Sequence, residues 1–241
     1  MKLIIQKGEK YTNEDFFKQV IHYEYIDGIT LNVAKTNDDV LVVFNLASSS
    51  NVLIKNIYES SYQQLKNLEV ISLETVIRYL SQINYPKKIL LNLIPYKLMQ
   101  LTEEQNKLLI EEYKTYARLL KNCLQDINLQ IGIHSVSRSL LEFVRKSNIT
   151  TSFGFAVVGY DLNYIDVDYY IFTIDMLNLP LIKQQIGLGK DVIIYIQNDF
   201  ELSFIYDMFL GAKKTNLTKE IYKDVHLMGN YPEVLKKTFD K

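Results

Sequence analysis

Tryptophan is absent from the 241 residues, and cysteine occurs once, at Cys123. A lone thiol excludes an intramolecular disulfide and any multi-thiolate metal site. Histidine is nearly as scarce: only His22, His134 and His226 are present, which argues against a multi-histidine catalytic centre. Nine glycines and four prolines are too few for a fibrous or linker-rich architecture. An excess of one charge sign is missing as well, with 27 Lys and Arg against 28 Asp and Glu. Duplex binding leans on surplus cations that displace phosphate counterions, so a nucleic-acid partner is not expected. No segment approaches the roughly 18–20 uninterrupted apolar residues of a membrane span. The opening MKLIIQKGEK lacks the apolar stretch of roughly 7–15 residues that a signal peptide needs. The expectation is a soluble, cytoplasmic chain with no membrane span.

Apolar residues make up 48% of the chain, enough to bury a full core and too many for a disordered class. Short apolar runs alternate with longer amphipathic stretches. Strands are expected at 2–5, 28–33, 89–94, 130–134, 151–158, 169–173, 191–197 and 213–216. Helices are expected at 13–25, 62–68, 73–83, 102–124, 137–147, 175–186, 200–211 and 232–238. Thr12 and Ser72 are placed to cap the first and third of these. A further strand, 40–45, is separated from 28–33 by a polar turn around Thr36-Asn37-Asp38, too short for a helical crossover, which predicts a hairpin. Without that hairpin arm, eight short strands alternate with helices along the chain. That pattern predicts a (β/α)8 TIM barrel, a single domain over 1–241, with an extra hairpin strand after the second barrel strand. A doubly wound open sheet is the alternative; no glycine fingerprint follows the first strand to support it.

Several segments share an order with a known family. They are Ile4-Ile5-Gln6-Lys7-Gly8, then Asp27-Gly28-Ile29-Thr30-Leu31-Asn32-Val33, Thr36-Asn37-Asp38-Asp39 and Val42-Val43-Phe44-Asn45-Leu46. Ile71-Ser72-Leu73-Glu74-Thr75, Leu91-Asn92-Leu93-Ile94-Pro95-Tyr96, Gly189-Lys190-Asp191-Val192 and Thr215-Asn216 follow downstream. In this order the chain resembles the glycerophosphodiester phosphodiesterases. Members of that family are (β/α)8 barrels that cleave glycerophosphodiesters with a divalent cation, usually calcium or magnesium. The 46–62 connection is too short for the helical insertion that many members carry.

The resemblance implies two acid/base histidines, a metal held by two Glu and one Asp, and a phosphate held by Arg and Lys. Position by position, this chain has Gln6 for the first His, Lys7 for the Arg and Thr30 and Asn32 for the Glu-x-Asp pair. It has Asn45 for the second His, Ile94 for the later Glu and Tyr96 for its Lys. In a second register of the opening segment, Lys7 replaces the His and no cation stands at the Arg position. A hard cation takes most of its affinity from carboxylates, and neither Gln6 nor Asn45 can shuttle a proton near neutral pH. No catalytic residue, metal ligand or cofactor is therefore expected. The expected ligand-binding residues are Gln6, Lys7, Thr30, Asn32, Asn45, Asn92, Tyr96, His134, Ser135, Tyr195 and Asn216. His134, ending a strand, is the best remaining acid/base candidate, whereas His226 reads as part of the C-terminal tail. The acidic run 161–168 lacks the glycine and terminal glutamate of an EF-hand loop and reads as a solvated loop. The leading expectation is a catalytically silent relative that binds a small polar or phosphorylated ligand, a polyol, or a protein partner. The alternatives are a working phosphoric diester hydrolase of lipid and glycerol metabolism, with weak or altered chemistry, and a scaffold whose pocket is irrelevant.

Overall fold

The computed structural model describes residues 3–7, 12–45, 50–65, 68–95, 103–149, 151–157, 166–173, 175, 179–196, 201 and 225–230. Ten strands lie in one sheet: β1 (Leu3–Gln6), β2 (Gly28–Lys35), β3 (Leu41–Phe44), β4 (Ile71–Ser72), β5 (Lys88–Leu93), β6 (Ile131–Ser135), β7 (Ser152–Val157), β8 (Tyr169–Thr173), β9 (Asp191–Ile196) and β10 (Val225–Gly229). All but β3 and β4 form a closed parallel ring in the order β1-β2-β5-β6-β7-β8-β9-β10, and β10 returns to β1. This is the TIM barrel with a hairpin strand after the second barrel strand. Around it run α1 (Asn13–Lys18), α2 (Ser50–Glu59), α3 (Tyr62–Leu65), α4 (Leu73–Gln82), α5 (Glu103–Leu124), α6 (Arg138–Lys146) and α7 (Leu179–Gly187). Among the described residues, no helix is long and apolar enough to cross a membrane.

Local chemistry sets several boundaries. Thr12 Oγ1 accepts from the Asp15 backbone N–H at 3.1 Å and starts α1. Ser72 Oγ does the same for Thr75 at 3.2 Å and starts α4. The first helix stops at Lys18 and a 3₁₀ turn, Val20–His22, replaces the rest of the expected 13–25 helix. The 46–62 connection is not bare: α2 occupies most of it. The eighth barrel strand is also corrected. It is Val225–Gly229, so His226 belongs to the barrel and not to a tail. The 213–216 strand and the 200–211 and 232–238 helices expected from the sequence lie outside the described residues, apart from Glu201, which is helical.

β1 is half as long as β2, and this shapes the rim. Residues Ile4–Gln6 pair along Gly28–Thr30, while β5 takes the other edge of β2 from Gly28 to Val33. The edge left bare above β1 is filled by β3, antiparallel, with Asn32 opposite Phe44 and Lys35 opposite Leu41. Lys35 anchors this hairpin. Its buried ammonium meets Asp39 at 2.7 Å and Glu112 of α5 at 2.9 Å.

The barrel interior is filled by Ile4, Leu90, Tyr169, Ile171, Ile193 and Met228, and the strand faces turned outward form a larger core with the helices. Tyr169 is fully buried. Its ring leaves no room for a side chain at Gly154, where a Cβ would come within 2.1 Å of it, and a Cβ on Gly132 would come within 2.7 Å of Leu90 and 3.1 Å of the Tyr169 hydroxyl. Rigid ring atoms inside a closed barrel cannot swing aside. Gly154→Ala is therefore expected to destabilise the fold by about 1–3 kcal/mol, the usual range for overpacking. Urea unfolding checks this, and an unchanged midpoint contradicts it.

Candidate functional site

Strand alternation turns Gln6, Thr30, Asn32, Asn92, His134 and Tyr195 toward the barrel interior. The register sets Gln6 beside Thr30, Asn32 beside Asn92, and Asn92 beside His134. The side chains of Gln6, Asn32, Asn92 and Tyr195 form one neutral network. Gln6 Nε2 donates to Asn32 Oδ1 at 3.3 Å, and Asn92 Nδ2 donates to the same oxygen at 2.9 Å. The Tyr195 hydroxyl is hydrogen-bonded to Gln6 and to Asn230, and burial pushes its pKa up to about 12. Asn230 was not foreseen. It follows β10, and its signal was the apolar run Val225–Gly229, a better strand than the lysine-bearing 213–216 segment.

Lys7 and Asn45 meet where β1 and β3 abut along the edge of β2. The Lys7 backbone N–H bonds to Thr30 O at 3.1 Å, and its Nζ donates to Asn45 Oδ1. Lys7 is 0% exposed, so it does not point into solvent. Burial lowers its pKa to about 8, against the opposing pull of the Glu69 carboxylate. No carboxylate lies within ion-pair distance of Nζ among the described residues.

His134 is enclosed within the barrel. It is 2% exposed, burial depresses its pKa to about 3, and Nδ1 lies 3.3 Å from the Tyr169 hydroxyl. It is a neutral part of the barrel filling. Ser135 is turned to the outer face. Its hydroxyl donates to Leu93 O at 2.6 Å and accepts from the Ser137 N–H at 3.1 Å, which ties down the turn into α6. Ile94 packs with Ala34, Val42 and Phe44 in a small core above the rim. The residue in register with Asn32 is Asn92, two positions earlier, and it carries no carboxylate either. Tyr96 and Asn216 lie outside the described residues.

Four buried polar atoms of this cluster have no hydrogen-bond partner among the described residues: Gln6 Oε1, Thr30 Oγ1, Asn32 Nδ2 and Asn230 Oδ1. Leaving such atoms unpaired costs about 1–3 kcal/mol each, so a polar layer of this kind is poor building material. A divalent metal, which the resemblance implies, does not fit these residues. The donors are amides and hydroxyls, and among the described residues no group of three or more His, Cys, Asp and Glu could hold a metal. Asp166 and Asp168, from the acidic run, are engaged with Lys190 at 2.7 Å and with the Phe153 N–H at 2.7 Å; residues 161–165 lie outside the described residues.

The depressed pKa of Lys7 sets a pH dependence. The unfolded chain holds this proton up to an ordinary value of 10.5, and the native state releases it near 8. Between these values the unfolded state binds more protons, so stability rises with pH, by at most about 3 kcal/mol from this group. Lys7→Met is expected to flatten that rise and to stabilise the protein at neutral pH. Urea unfolding of both proteins from pH 7 to 10.5 measures it; parallel curves contradict the assignment.

No family model matches the sequence, and no curated protein matches it. Solved structures do. A protein assigned as a glycerophosphodiester phosphodiesterase from Galdieria sulphuraria is 14% identical, with a TM-score of 0.72, covering 100% of this chain and 98% of its own. A glycerophosphodiester phosphodiesterase from Parabacteroides distasonis is 15% identical, with a TM-score of 0.69 over 98% and 95%. An Oleispira antarctica phosphodiesterase, in complex with its product sn-glycerol-3-phosphate, is 14% identical with a TM-score of 0.65 over 100% and 97%. At these identities the likeness speaks for architecture, and the architecture of this chain is that of the glycerophosphodiester phosphodiesterases.

Proposed function

We propose that this chain is a catalytically silent protein of glycerophosphodiester phosphodiesterase fold that binds a small phosphorylated polyol at the C-terminal mouth of its barrel, in the cytoplasm. The observation that carries the reading is Lys7, a buried ammonium whose partner is the neutral amide oxygen of Asn45. A buried cation with no carboxylate in ion-pair contact among the described residues is costly, and an anion arriving beside it recovers part of that cost. Around it stand amides and hydroxyls with unused hydrogen-bonding capacity, which suit the hydroxyls of a polyol. The Oleispira structure, with glycerol phosphate as product, supports the choice of ligand class.

Silence follows from the same residues. Gln6 and Asn45 hold no titratable proton, His134 is neutral and enclosed, and Thr30, Asn32 and Asn92 supply no carboxylate for a cation. Without proton transfer or a metal, an attacking hydroxyl and a leaving alkoxide both lack stabilisation. Purified protein is expected to release no glycerol 3-phosphate from glycerophosphocholine, with calcium, magnesium or neither. Metal-dependent turnover lost on substitution of Asn32 or Asn92 establishes a working hydrolase instead.

Binding is read by NMR titration with glycerol 3-phosphate. Lys7 must give up part of its contact with the Asn45 oxygen to meet an anion, so affinity in the millimolar range is expected. Chelator has no effect, Lys7→Ala abolishes the shifts, and binding weakens above about pH 8 as Lys7 loses its proton. Absence of shifts at Gln6, Asn32 and Asn92 in the native protein ends the proposal.

A further inference from the structure

A second feature lies on the helical layer, away from the barrel mouth. α5 and α6 leave between them a groove of about 410 Å³. Small-molecule sites run from about 300 to 1,000 Å³, so the space suits a compact ligand. Ala117 and Phe143 line it, and Lys114, Arg118, Lys121 and Lys146 supply its charged side chains. The first three recur at helical spacing on α5 and span about 10 Å at 1.5 Å per residue. No carboxylate lines the groove.

The charge there is only partly offset. Lys114 pairs with Glu111 at 2.6 Å. Lys146 Nζ sits 5.9 Å from the Phe143 ring centre, a cation–π contact that leaves its charge in place. Among the described residues, neither Arg118 nor Lys121 has a carboxylate within ion-pair distance. Lys121 and Lys146 also lie in the last turns of their helices, where each helix end carries roughly half a negative charge. Four cations less Glu111 and the two helix ends leave about two positive charges on one concave surface. The whole chain is formally −1, so this is a local concentration and not a reflection of overall charge.

We propose that the α5–α6 groove binds a compact soluble polyphosphate, a small molecule with two or more linked phosphate groups. Linked phosphates a few ångströms apart match cations one and two helical turns apart. Arg118 can engage an oxygen pair in bidentate fashion, and Lys121 and Lys146 supply point charges from the two walls. A single phosphate leaves half of these contacts unused. An extended acidic peptide needs a longer track than one closed off by the turn at Ser147 and Asn148, which also line the groove.

NMR titration of the full chain with inorganic tripolyphosphate tests this. Shifts are expected at Ala117, Phe143 and Ser147, with affinity that falls steeply as salt rises and clearly exceeds that for inorganic phosphate. Arg118→Glu is expected to weaken binding by about tenfold or more, since it sets a like charge against the ligand. Arg78→Glu makes the same charge change on α4, where Arg78 is exposed and paired with Glu74, and is expected to leave affinity within about twofold. If Arg118→Glu fails to fold, Lys121→Ser repeats the test with a milder loss. Equal losses in Arg78→Glu and Arg118→Glu, shifts confined to other surfaces, or equal binding of hexaglutamate each overturn the proposal.

Discussion

The phenol ring of Tyr169 stands inside the barrel, and the strands beside it give up their side chains to hold it. Gly132 and Gly154 are bare because a Cβ at either collides with Tyr169 or its neighbour Leu90. The ring in turn meets His134 edge-on, with centroids 6.0 Å apart, and receives Lys88 on a face at 5.1 Å. Below it, Lys88 and His226 both lie 3.8 Å from Asp191. Around it the interior is filled by Ile4, Leu90, Ile171, Ile193 and Met228, and the register through His134 and Gly154 links Tyr169 to Asn92 and Asn32 of the neutral polar layer.

That layer trades one kind of electrostatics for another. Carboxylates brought together at a barrel mouth repel each other unless a cation sits among them. Amides do not repel, so Asn32 can accept from both Gln6 and Asn92. The Lys7 ammonium is held by the Asn45 oxygen, at the seam where a short β1 gives way to β3.

The barrel was legible because its strands are short apolar runs with amphipathic stretches between them, and the hairpin because Thr36-Asn37-Asp38 is a turn by composition. The last strand was not. Val225–Gly229 contains a histidine and lies near the chain end, whereas 213–216 offered a tempting Thr-Asn pair. The helix α2 fills a connection whose length speaks only against a longer insertion. Within the site, the resemblance singled out Gln6, Thr30 and Asn32, and the alternation of β1, β2 and β5 turns them, with Asn92, into the barrel. Ser135 and Ile94 went astray where strands end: residue parity turns Ser135 outward, and past Leu93 the chain leaves the barrel wall and delivers Ile94 to the core above the rim. Burial of Lys7 depends on a hairpin that returns from residue 44, which no local pattern in the first strand announces.

Closing the ring removes every open strand edge from the barrel itself, but β3 and β4 add one back. An open edge is a template on which another chain can build. Here β4 is only two residues long, its Ser72 N–H is donated to the Tyr62 hydroxyl at 3.2 Å, and the chain turns at once into α4. A strand from a second molecule finds almost nothing to extend, so the hairpin that completes the rim does so without inviting aggregation.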